Sequence, residues 1–516
     1  MRKVFLCLIC LFLLLSACTP TIDQTSTPAA DTTEAALTET EQAWPPVVGP
    51  DPSPRVAAFY YPWYFNEEFD GRWDHWGRNP PQDIASDYYP LLGTYSMSDP
   101  AVLAQHFAWL RQSGVGLIIS SWWGRNDPTD NALPLILDVA DYYGIKVAIH
   151  IEPYDGRSAE RLILDINYLL AQYGDYPAFY WTNETSCFNS GEQPKGLFFL
   201  WNSMAPENGT GPVDPDYWLE AMDSLHSQEP GVVVLTDQAN NRWVTSGHFD
   251  GAYSYVVLDI DEVGYDWAAA IPACAWYVPG INPGISAIQI QYEDEVNTPR
   301  RDGQTYDNRW ERMFATGVEP TLVAISTFNE WHEGTQIEPA AVGMTRSNGQ
   351  PYLDFSPLDP EAYLDMTNDW AQVFLNYEWP EGFPLRVSAR TTSDWSSISL
   401  VSGATWRSPT VISASQEPGE AGMYDGIIGL NQPLDNAQAG NQVEAVFELE
   451  FVPGDTQEPV VFAINRGNIG ATWLELYRLD GQEWVLVDAF TWAGIIQGPS
   501  NSVEFSVDYA SLFEPD

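Results

Sequence analysis

Short apolar runs alternate with longer amphipathic segments along the chain from Val56 to residue 377. The short runs predict strands, and the segments whose apolar residues recur every three or four positions predict helices. Several of these helices would begin after an Asp or Ser and end at a glycine, as helix termini favour. We interpret YDWAAAIPACAWY as the helix between the sixth and seventh strands. The eight predicted strands are VAAFYYPWY, VGLIISSWW, IKVAIHIEPY, KGLFFLWN, GVVVLTD, DGAYSYVV, SAIQIQY and PTLVAISTFNEW.

The predicted strands are nearly continuous apolar runs, which are typical of parallel strands covered on both faces. Eight such strands with helices between them predict an α/β fold, a (β/α)8 TIM barrel, over residues 55–378. The alternative is an open doubly wound sheet. No Gly-x-Gly-x-x-Gly motif follows the first strand, which disfavours a dinucleotide-binding version of that alternative.

The pattern changes after residue 378, and strict alternation of apolar and polar residues dominates residues 386–516. In VEAVFELEF every second residue is apolar, and WLELYRLDGQEWVLV predicts a hairpin that turns at Asp480-Gly481. This pattern predicts a C-terminal all-β, sandwich-like domain and a candidate carbohydrate-binding domain. Trp473, Trp484 and Trp492 are either sugar-stacking platforms or core residues.

The N-terminus predicts export and a membrane anchor. Residues 1–18 combine two basic residues, an apolar run and a Leu-Ser-Ala-Cys box, and they resemble a bacterial lipoprotein signal in which Cys18 is lipidated. A plain secretory signal is the alternative. Residues 19–54 are rich in Thr, Ala, Pro and acidic residues, which predicts a disordered tether. The mature protein is therefore expected to be extracytoplasmic and lipid-anchored to the cell membrane or cell surface.

The charge balance restricts the partners. The chain has 71 acidic and 22 basic residues, a formal net charge of −49, which repels nucleic acid and argues against binding to it. Past Cys18 only Cys187 and Cys274 remain. In an exported protein they could form one disulfide or remain two buried thiols.

Candidate catalytic residues follow the last predicted strand, in NEWHEGTQIEP. In a parallel barrel the active site lies where the strands end, and these ends are rich in Trp, Tyr, His and Glu, which suits a carbohydrate cleft. Glycoside hydrolysis needs two carboxyl groups, and Glu330 and Glu333 are the obvious pair. Because residues three apart on an extended strand face opposite sides, the chain must turn after Glu330. A structural ion-pair network is one alternative reading; a zinc protease site lacks its second histidine.

Residues 56–377 resemble glycoside hydrolase family 99, the endo-α-1,2-mannosidases and endo-α-1,2-mannanases. The matching runs are FYYPWY, FDGRWDHW, YYPLLGTYS, SWWG, HIEPY with Arg157, YGDYPAFY, FDGAYSY and FNEWHEGTQIEPA. The resemblance implies retaining cleavage of α-mannosidic bonds inside a glycan, through a 1,2-anhydro sugar and without metal or organic cofactor. It implies that Glu330 is a base on the substrate 2-hydroxyl and that Glu333 is the general acid and then the base. The residues for which it implies sugar binding are Tyr61, His75, Trp76, Trp123, His150, Glu152 and Tyr253.

The chain departs from the family pattern, in which a Gly-Pro-Gly-Tyr-like turn and an Asn-Thr-Arg run follow strand seven, and the second run reads Asn297-Thr298-Pro299-Arg300 here. A Gly-Pro-Gly-Tyr-like turn is replaced here by Asn282-Pro283-Gly284-Ile285, so the subsite contacts from the loop around Ile285 are expected to differ. At the position of Trp123 this chain is similar to the mannan-active bacterial members of the family, which carry Trp there. The animal enzymes that act on glucosylated glycans carry Tyr at the same position. The remaining alternatives are a glycosidase with another α-glycan specificity on the same barrel and a non-catalytic glycan-binding lipoprotein.

Overall fold

The structure is a computed structural model whose described residues from Trp44 onward belong to one compact unit. The signal peptide with Cys18 and the tether up to residue 43 lie outside the described residues. The described residues are 44–191, 193–207, 210–255, 265–287, 297–415, 420–424, 427–432, 434–454, 458–467, 470–493 and 502–513.

Parallel strands form a closed barrel, as the sequence predicts. Their side chains are almost entirely buried, which explains why the runs are apolar throughout. The first twelve strands are β1 (Val56–Tyr60), β2 (Leu117–Trp122), β3 (Lys146–Ile151), β4 (Trp181–Thr182), β5 (Lys195–Leu200), β6 (Gly231–Thr236), β7 (Gly251–Tyr253), β8 (Trp276–Val278), β9 (Gly280–Ile281), β10 (Ile285–Ser286), β11 (Asn297–Thr298) and β12 (Val323–Ile325).

The barrel closes through a strand that is interrupted at Pro279. Strand β8 pairs in parallel with β7, and β9, just beyond the proline, pairs in parallel with β12, which in turn pairs with β1. The prediction that SAIQIQY is the seventh strand is therefore wrong. Its Ser286 belongs to β10, which pairs antiparallel with β11 outside the barrel, and residues 288–292 lie outside the described residues.

The prediction that YDWAAAIPACAWY is a helix is also wrong. Only Asp266–Ala269 is helical, as a short 3-10 helix, and Trp276 and Tyr277 belong to β8. Pro272 divides this segment and Pro279 follows it, and proline cannot donate the backbone hydrogen bond that a continuous helix or central strand requires.

The six longer helices of the barrel lie where the amphipathic segments predict them, and two shorter helices, Glu67–Asp70 and Asn241–Gly247, are additional to the prediction. Asp99, Asp127 and Ser158 each accept a backbone hydrogen bond in the first turn of a helix, which confirms them as N-caps. The helices are α1 (Glu67–Asp70), α2 (Pro100–Gln112), α3 (Pro128–Tyr143), α4 (Ala159–Tyr173), α5 (Asp216–His226), α6 (Asn241–Gly247), α7 (Gln304–Ala315), α8 (Ala362–Asn376), α9 (Leu434–Gln438) and α10 (Tyr509–Phe513).

The last part of the predicted tether, residues 44–54, packs against the barrel. Arg111 donates to the carbonyl oxygens of Val48 and Gly49 at 3.0 and 2.7 Å, and the Trp44 ring contacts Tyr142 with centroids 5.1 Å apart. Trp44 is the first aromatic residue after the polar segment.

The C-terminal region is an antiparallel β-sandwich of two five-stranded sheets, as predicted. Within the strand Val443–Pro453, five alternate residues are buried in the core between the sheets, namely Val443, Ala445, Phe447, Leu449 and Phe451. The first sheet has the order β15-β18-β13-β20-β21 and the second β16-β17-β14-β19-β22. The strands are β13 (Phe383–Thr391), β14 (Trp395–Ser402), β15 (Ala404–Ala414), β16 (Glu420–Tyr424), β17 (Ile427–Asn431), β18 (Val443–Pro453), β19 (Val460–Arg466), β20 (Ala471–Asp480), β21 (Glu483–Ala493) and β22 (Ser502–Val507).

The three candidate tryptophans of the sandwich take different places. Trp473 and Trp484 are half-buried beneath the guanidinium groups of Arg390 and Arg386, which lie 4.5 and 4.3 Å from the ring centroids. Trp492 packs against the sandwich core. The core interpretation therefore holds for Trp492 alone.

Cys187 and Cys274 form a disulfide, which answers the question that the sequence leaves open. It connects the segment before β5 to the segment before β8, which are 87 residues apart. Within the part of the chain that is described, none of the helices combines the length and the apolar character needed to cross a bilayer.

Candidate active site

Glu330 and Glu333 lie at the tip of a tight loop, which we call the catalytic loop (residues 327–338). Thr327 donates its backbone N–H to the Thr335 carbonyl at 3.0 Å, and Ile337 donates to the Thr327 carbonyl at 2.9 Å. Through these bonds the segment that enters the loop at Thr327 pairs antiparallel with the segment that leaves it at Thr335 to Ile337. The predicted turn after Glu330 is present, and both carboxylates emerge at the carboxyl end of the barrel.

Gly334 makes the turn sterically possible. Its φ of +62° is in the left-handed region, and a Cβ at this position would lie 2.7 Å from the carbonyl oxygen of Ser286. Ser286 also donates its N–H to the Glu333 carbonyl at 2.7 Å, and Arg300 donates to the carbonyls of Gly334 and Gln336. The loop that carries Glu333 is therefore fixed from outside.

Glu330 is surrounded by hydrogen-bond donors. Its Oε1 accepts the backbone N–H of His332 at 2.9 Å and the Tyr64 hydroxyl at 3.5 Å, and it lies 3.3 Å from Nδ1 of His332. The residue is only 3% exposed. These donors fix the position of the carboxylate, which can then accept a proton from a bound hydroxyl as a base does.

His332 completes this environment. Its Nε2 faces the carbonyl oxygen of His75, which can only accept, while its Nδ1 faces Glu330. Burial lowers the pKa of His332, but the hydrogen bond and the charge of Glu330 outweigh burial, so the pKa is raised. A doubly protonated ring satisfies both neighbours and places a positive charge beside Glu330.

Glu333 has the opposite environment. Burial, and then the negative charge of Glu330, raise the pKa of Glu333 to about 8, whereas a hydrogen bond from Tyr255 opposes this change. The Tyr255 hydroxyl donates to Glu333 Oε2 at 3.0 Å and accepts from the Tyr61 hydroxyl at 2.7 Å. Glu333 therefore holds its proton near neutral pH, as a general acid must.

His150, Glu152 and Tyr253 form one cluster beside this pair. Glu152 Oε1 lies 3.1 Å from His150 Nδ1 and accepts from the Ser121 hydroxyl at 2.8 Å, while His150 Nε2 hydrogen-bonds the Tyr253 hydroxyl at 2.8 Å. Glu152 is close enough for its charge to raise the pKa of Glu333 further. Tyr253 itself is completely buried and contacts the histidine, so it supports His150 from below.

Trp76 does not reach the cleft surface. It is 1% exposed, its indole N–H donates to the Tyr95 carbonyl at 3.0 Å, and its ring packs against Tyr64 with centroids 4.4 Å apart. Tyr61 is 5% exposed, and its backbone N–H and C=O are bound by the side-chain amide of Asn329. This amide fixes the end of β1 to the catalytic loop.

A cavity of about 840 Å³ lies on the side of His75 and Trp63 that adjoins His332, and neither glutamate lines it. His75 and Trp123 both line it, together with Trp63, whose ring stacks on His75 at 4.7 Å with an interplanar angle of 4°. Tyr154 and several charged side chains complete the lining, namely Asp127, Asp155, Arg125 and Arg161. Aromatic faces among polar groups are the lining that a sugar chain requires.

Sequence reasoning missed Tyr255, Tyr64, His332 and Trp63 as site residues. Tyr255 lies two positions after Tyr253, and alternate residues of a strand share a face, so this spacing was a usable signal. The contacts of Tyr64 and His332 with Glu330 depend on how the catalytic loop folds, and no spacing in the sequence encodes them.

Ile285, which replaces the tyrosine of the family pattern, is 3% exposed and pairs with Thr298 in the β10–β11 ladder. Over the residues that can be described, no group of three or more His, Cys, Asp or Glu side chains is arranged to hold a metal ion.

The barrel matches a known family. The family model described as Glycosyl hydrolase family 99 matches residues 53–376. This match covers the barrel from β1 to the end of α8, and the sandwich strands lie beyond it.

Similar proteins agree with this match. The chain is 31% identical over 367 residues to the glycoprotein endo-alpha-1,2-mannosidase of Xenopus laevis, covering 63% of this chain and 78% of that protein. It is 32% identical to a human glycoprotein endo-alpha-1,2-mannosidase-like protein, covering 62% of this chain and 75% of that protein. Among solved structures, the GH99 endo-alpha-mannosidase from Bacteroides thetaiotaomicron superimposes with a TM-score of 0.55 at 29% identity, covering 63% of this chain and 98% of that chain.

Proposed function

The chain belongs to glycosyl hydrolase family 99, and from this premise we propose that it is a retaining, endo-acting α-mannosidase that cleaves α-1,2-linked mannan or a mannose-rich glycan. In this proposal Glu330 is the base and Glu333 is the general acid and then the base. The observation that carries it is the contrast between the two carboxylates. Donors surround Glu330, whereas burial and the charge of Glu330 raise the pKa of Glu333.

The first step uses the substrate's own 2-hydroxyl as the nucleophile. In an α-mannoside this hydroxyl is anti to the leaving oxygen at C1, so it can attack in line, and the intramolecular attack has a low entropic cost. Glu330 accepts the hydroxyl proton while O2 forms a bond to C1. Glu333 donates its proton to the departing oxygen, and a 1,2-anhydro sugar results.

The second step returns both glutamates to their first state. Glu333, now ionised, accepts a proton from a water that attacks C1, and the C1–O2 bond breaks as Glu330 returns its proton to O2. Two inversions at C1 give overall retention. This sequence needs no enzyme nucleophile, and it assigns each carboxylate one proton in each step.

The substrate would extend from the glutamates past His332 into this cavity. Trp63, His75, Trp123 and Tyr154 line it among polar side chains, which suits the alternation of apolar ring faces and hydroxyls along a sugar chain. Trp123 in this wall supports a mannan-like substrate, through the resemblance to mannan-active members.

The decisive experiment compares Glu333→Gln with the wild-type enzyme on α-1,2-mannan. We expect turnover to fall by about 10²–10⁴-fold, because general acid catalysis is worth that much, with an unchanged melting temperature. Glu319→Gln is the control, since Glu319 is a surface carboxylate whose side chain is 52% exposed. Proton NMR should show the α-anomer as the first product.

Four outcomes would overturn the proposal. Near-normal turnover in Glu333→Gln would remove the assigned acid, and a β-anomer as the first product would exclude retention. Cleavage of other α-glycans but not α-mannans would make this a glycosidase of different specificity. Retardation of the protein in a mannan gel without depolymerisation would make it a glycan-binding lipoprotein.

The proposal includes a location outside the cytoplasm, with Cys18 as the lipid-modified residue. The Cys187–Cys274 disulfide supports an oxidising compartment. We expect radiolabelled palmitate to enter the full-length protein and the protein to sediment with membranes. Cys18→Ala should lose both properties, and a Cys18→Ala protein that keeps its label would refute this assignment.

The sandwich is proposed to contact the same glycan through the outer face of its first sheet. Trp473, Arg390 and Glu475 line a small depression there together with Ser388 and Glu444. An aromatic ring between charged side chains can stack on a sugar while they bind its hydroxyls. In a Glu333→Gln background, which does not consume the glycan, Trp473→Ala should migrate faster in a mannan gel. Equal retardation of the two proteins would refute a role for this face.

A further inference from the structure

Glu338 is the third carboxylate of the catalytic loop, and it has no part in the proposed chemistry. Its side chain is 0% exposed. Its Oε2 accepts the Tyr95 hydroxyl at 2.8 Å and the indole N–H of Trp331 at 2.9 Å, and its Oε1 lies 3.2 Å from Nε2 of His106. Burying a carboxylate is costly even when it is paired, so the fold retains an expensive group directly behind its catalytic residues.

The groups that face Glu338 come from several elements of the barrel. His106 is on α2, is also 0% exposed, and hydrogen-bonds the Tyr60 hydroxyl of β1 at 3.0 Å through Nδ1. Burial and the nearby carboxylates raise the pKa values of Tyr60, Tyr64 and Tyr95. These hydroxyls therefore remain protonated and available as donors throughout the working pH range.

Trp331 connects this buried cluster to the active site. It lies between Glu330 and His332 in the sequence, and its side chain is completely buried. Its peptide N–H donates to the Tyr64 hydroxyl at 3.1 Å, and that hydroxyl donates to Glu330 Oε1. An indole that is held at its N–H cannot rotate, so the peptide groups on both sides of Trp331 are held as well.

We propose that Glu338 is a positioning residue: its buried carboxylate fixes the indole of Trp331, and the fixed indole holds Glu330 and His332 in the geometry that the reaction needs. Catalytic groups must be held within about 0.5 Å of their productive position, and a buried acceptor with several donors provides that rigidity. The inference rests on the proposed catalytic role of Glu330.

The test is a double-mutant cycle between Glu338 and Trp331 on the full-length enzyme. Glu338→Gln keeps the shape but removes the charge, and Trp331→Phe keeps an aromatic ring but removes the indole donor. We expect each change to lower kcat by about 10- to 100-fold with KM within about threefold, as for a small misplacement of a catalytic group. Both changes act on the same Trp331–Glu338 hydrogen bond, which loses its charged acceptor in one variant and its donor in the other. The double variant should therefore have a kcat within about threefold of that of the less active single variant.

Asp250→Asn is the matched control. Asp250 is also a completely buried carboxylate beside a histidine, with its Oδ2 3.0 Å from Nε2 of His226, but it lies at the start of β7, away from the catalytic loop. We expect this variant to lose thermal stability while keeping kcat per folded molecule. A merely structural Glu338 would behave in the same way.

The outcomes separate this inference from the proposed function. Wild-type enzyme that cleaves no α-mannan would refute the function. An active wild type with normal kcat in folded Glu338→Gln, or with effects that multiply in the double variant, would refute the positioning role alone. If Glu338→Gln does not fold, Trp331→Phe decides, since it leaves the buried charge in place and must still lower kcat.

Discussion

Tyr255→Phe provides the most direct measure of how the active site sets the protonation of Glu333. The phenol donates to Glu333 Oε2 at 3.0 Å, while its ring packs between Phe59 and Trp201 at centroid distances of 5.0 Å each. Phenylalanine keeps the ring and removes only the donor. Because this hydrogen bond stabilises the ionised carboxylate, its loss must raise the pKa of Glu333 above the value of about 8 in the wild-type protein.

The size of the effect follows from the hydrogen bond. A hydrogen bond to a charged group contributes about 1.5–3 kcal/mol, and about 1.4 kcal/mol corresponds to one pH unit. Glu333 is partly exposed, so the lower end of this range applies and we expect a change of about one pH unit. A general acid works only while protonated, so the basic limb of kcat/KM should move to higher pH.

The assay is a pH profile of kcat/KM on α-1,2-mannan. Tyr253→Phe is the matched control, since Tyr253 is on the same strand end but its hydroxyl contacts His150. Tyr253→Phe should leave the basic limb of the kcat/KM profile at the wild-type pH. Tyr61→Phe removes the donor to Tyr255 and should move the limb in the same direction by a smaller amount. A limb that moves to lower pH in Tyr255→Phe, or that moves equally in Tyr253→Phe, would refute the reasoning.

Two further predictions concern backbone and covalent structure. Gly334→Ala places a Cβ 2.7 Å from the Ser286 carbonyl oxygen at a φ of +62°. The resulting displacement of Glu333 should lower kcat by about 10-fold or more. Gly343→Ala is the control and should retain kcat, because Gly343 has a φ of +71° but its Cβ would meet nothing within 4 Å. Replacing Cys187 with Ser opens a crosslink between residues 87 apart and should destabilise the fold by about 2–4 kcal/mol, seen as a lower urea midpoint; an unchanged midpoint would contradict this.

The sequence predicts most of the barrel because its parallel strands are buried on both faces. Seven of the eight predicted strands contain a barrel strand, and each is a continuous apolar run. The failure occurs at the strand formed by Trp276–Val278 and Gly280–Ile281, which is too short and too interrupted by Pro279 to carry a strand signal. Its identity depends on pairing with β7 and β12, which are remote in sequence.

Part of the candidate site can likewise be predicted from the sequence, and part depends on the fold. Glu330 and Glu333 stand out in the sequence because carboxylates cluster after an apolar strand and because the surrounding motif resembles a known family. Trp76 and Tyr253 belong to matching motifs as well, yet both are buried behind the residues that face the cleft. A motif identifies which residues are near the site, whereas the contacts that each side chain makes in the folded structure decide its place there.

The sequence by itself therefore determined the barrel, the sandwich and the two candidate glutamates, since apolar periodicity and local motifs are properties of neighbouring residues. Only the tertiary structure decided their different surroundings and the raised pKa of Glu333. Glu330 and Glu333 are three residues apart and chemically identical, but one faces the donors of His332 and Tyr64 and the other faces Tyr255 beside the charge of Glu330. Those neighbours come from distant parts of the chain, and electrostatic interactions depend on distances in space.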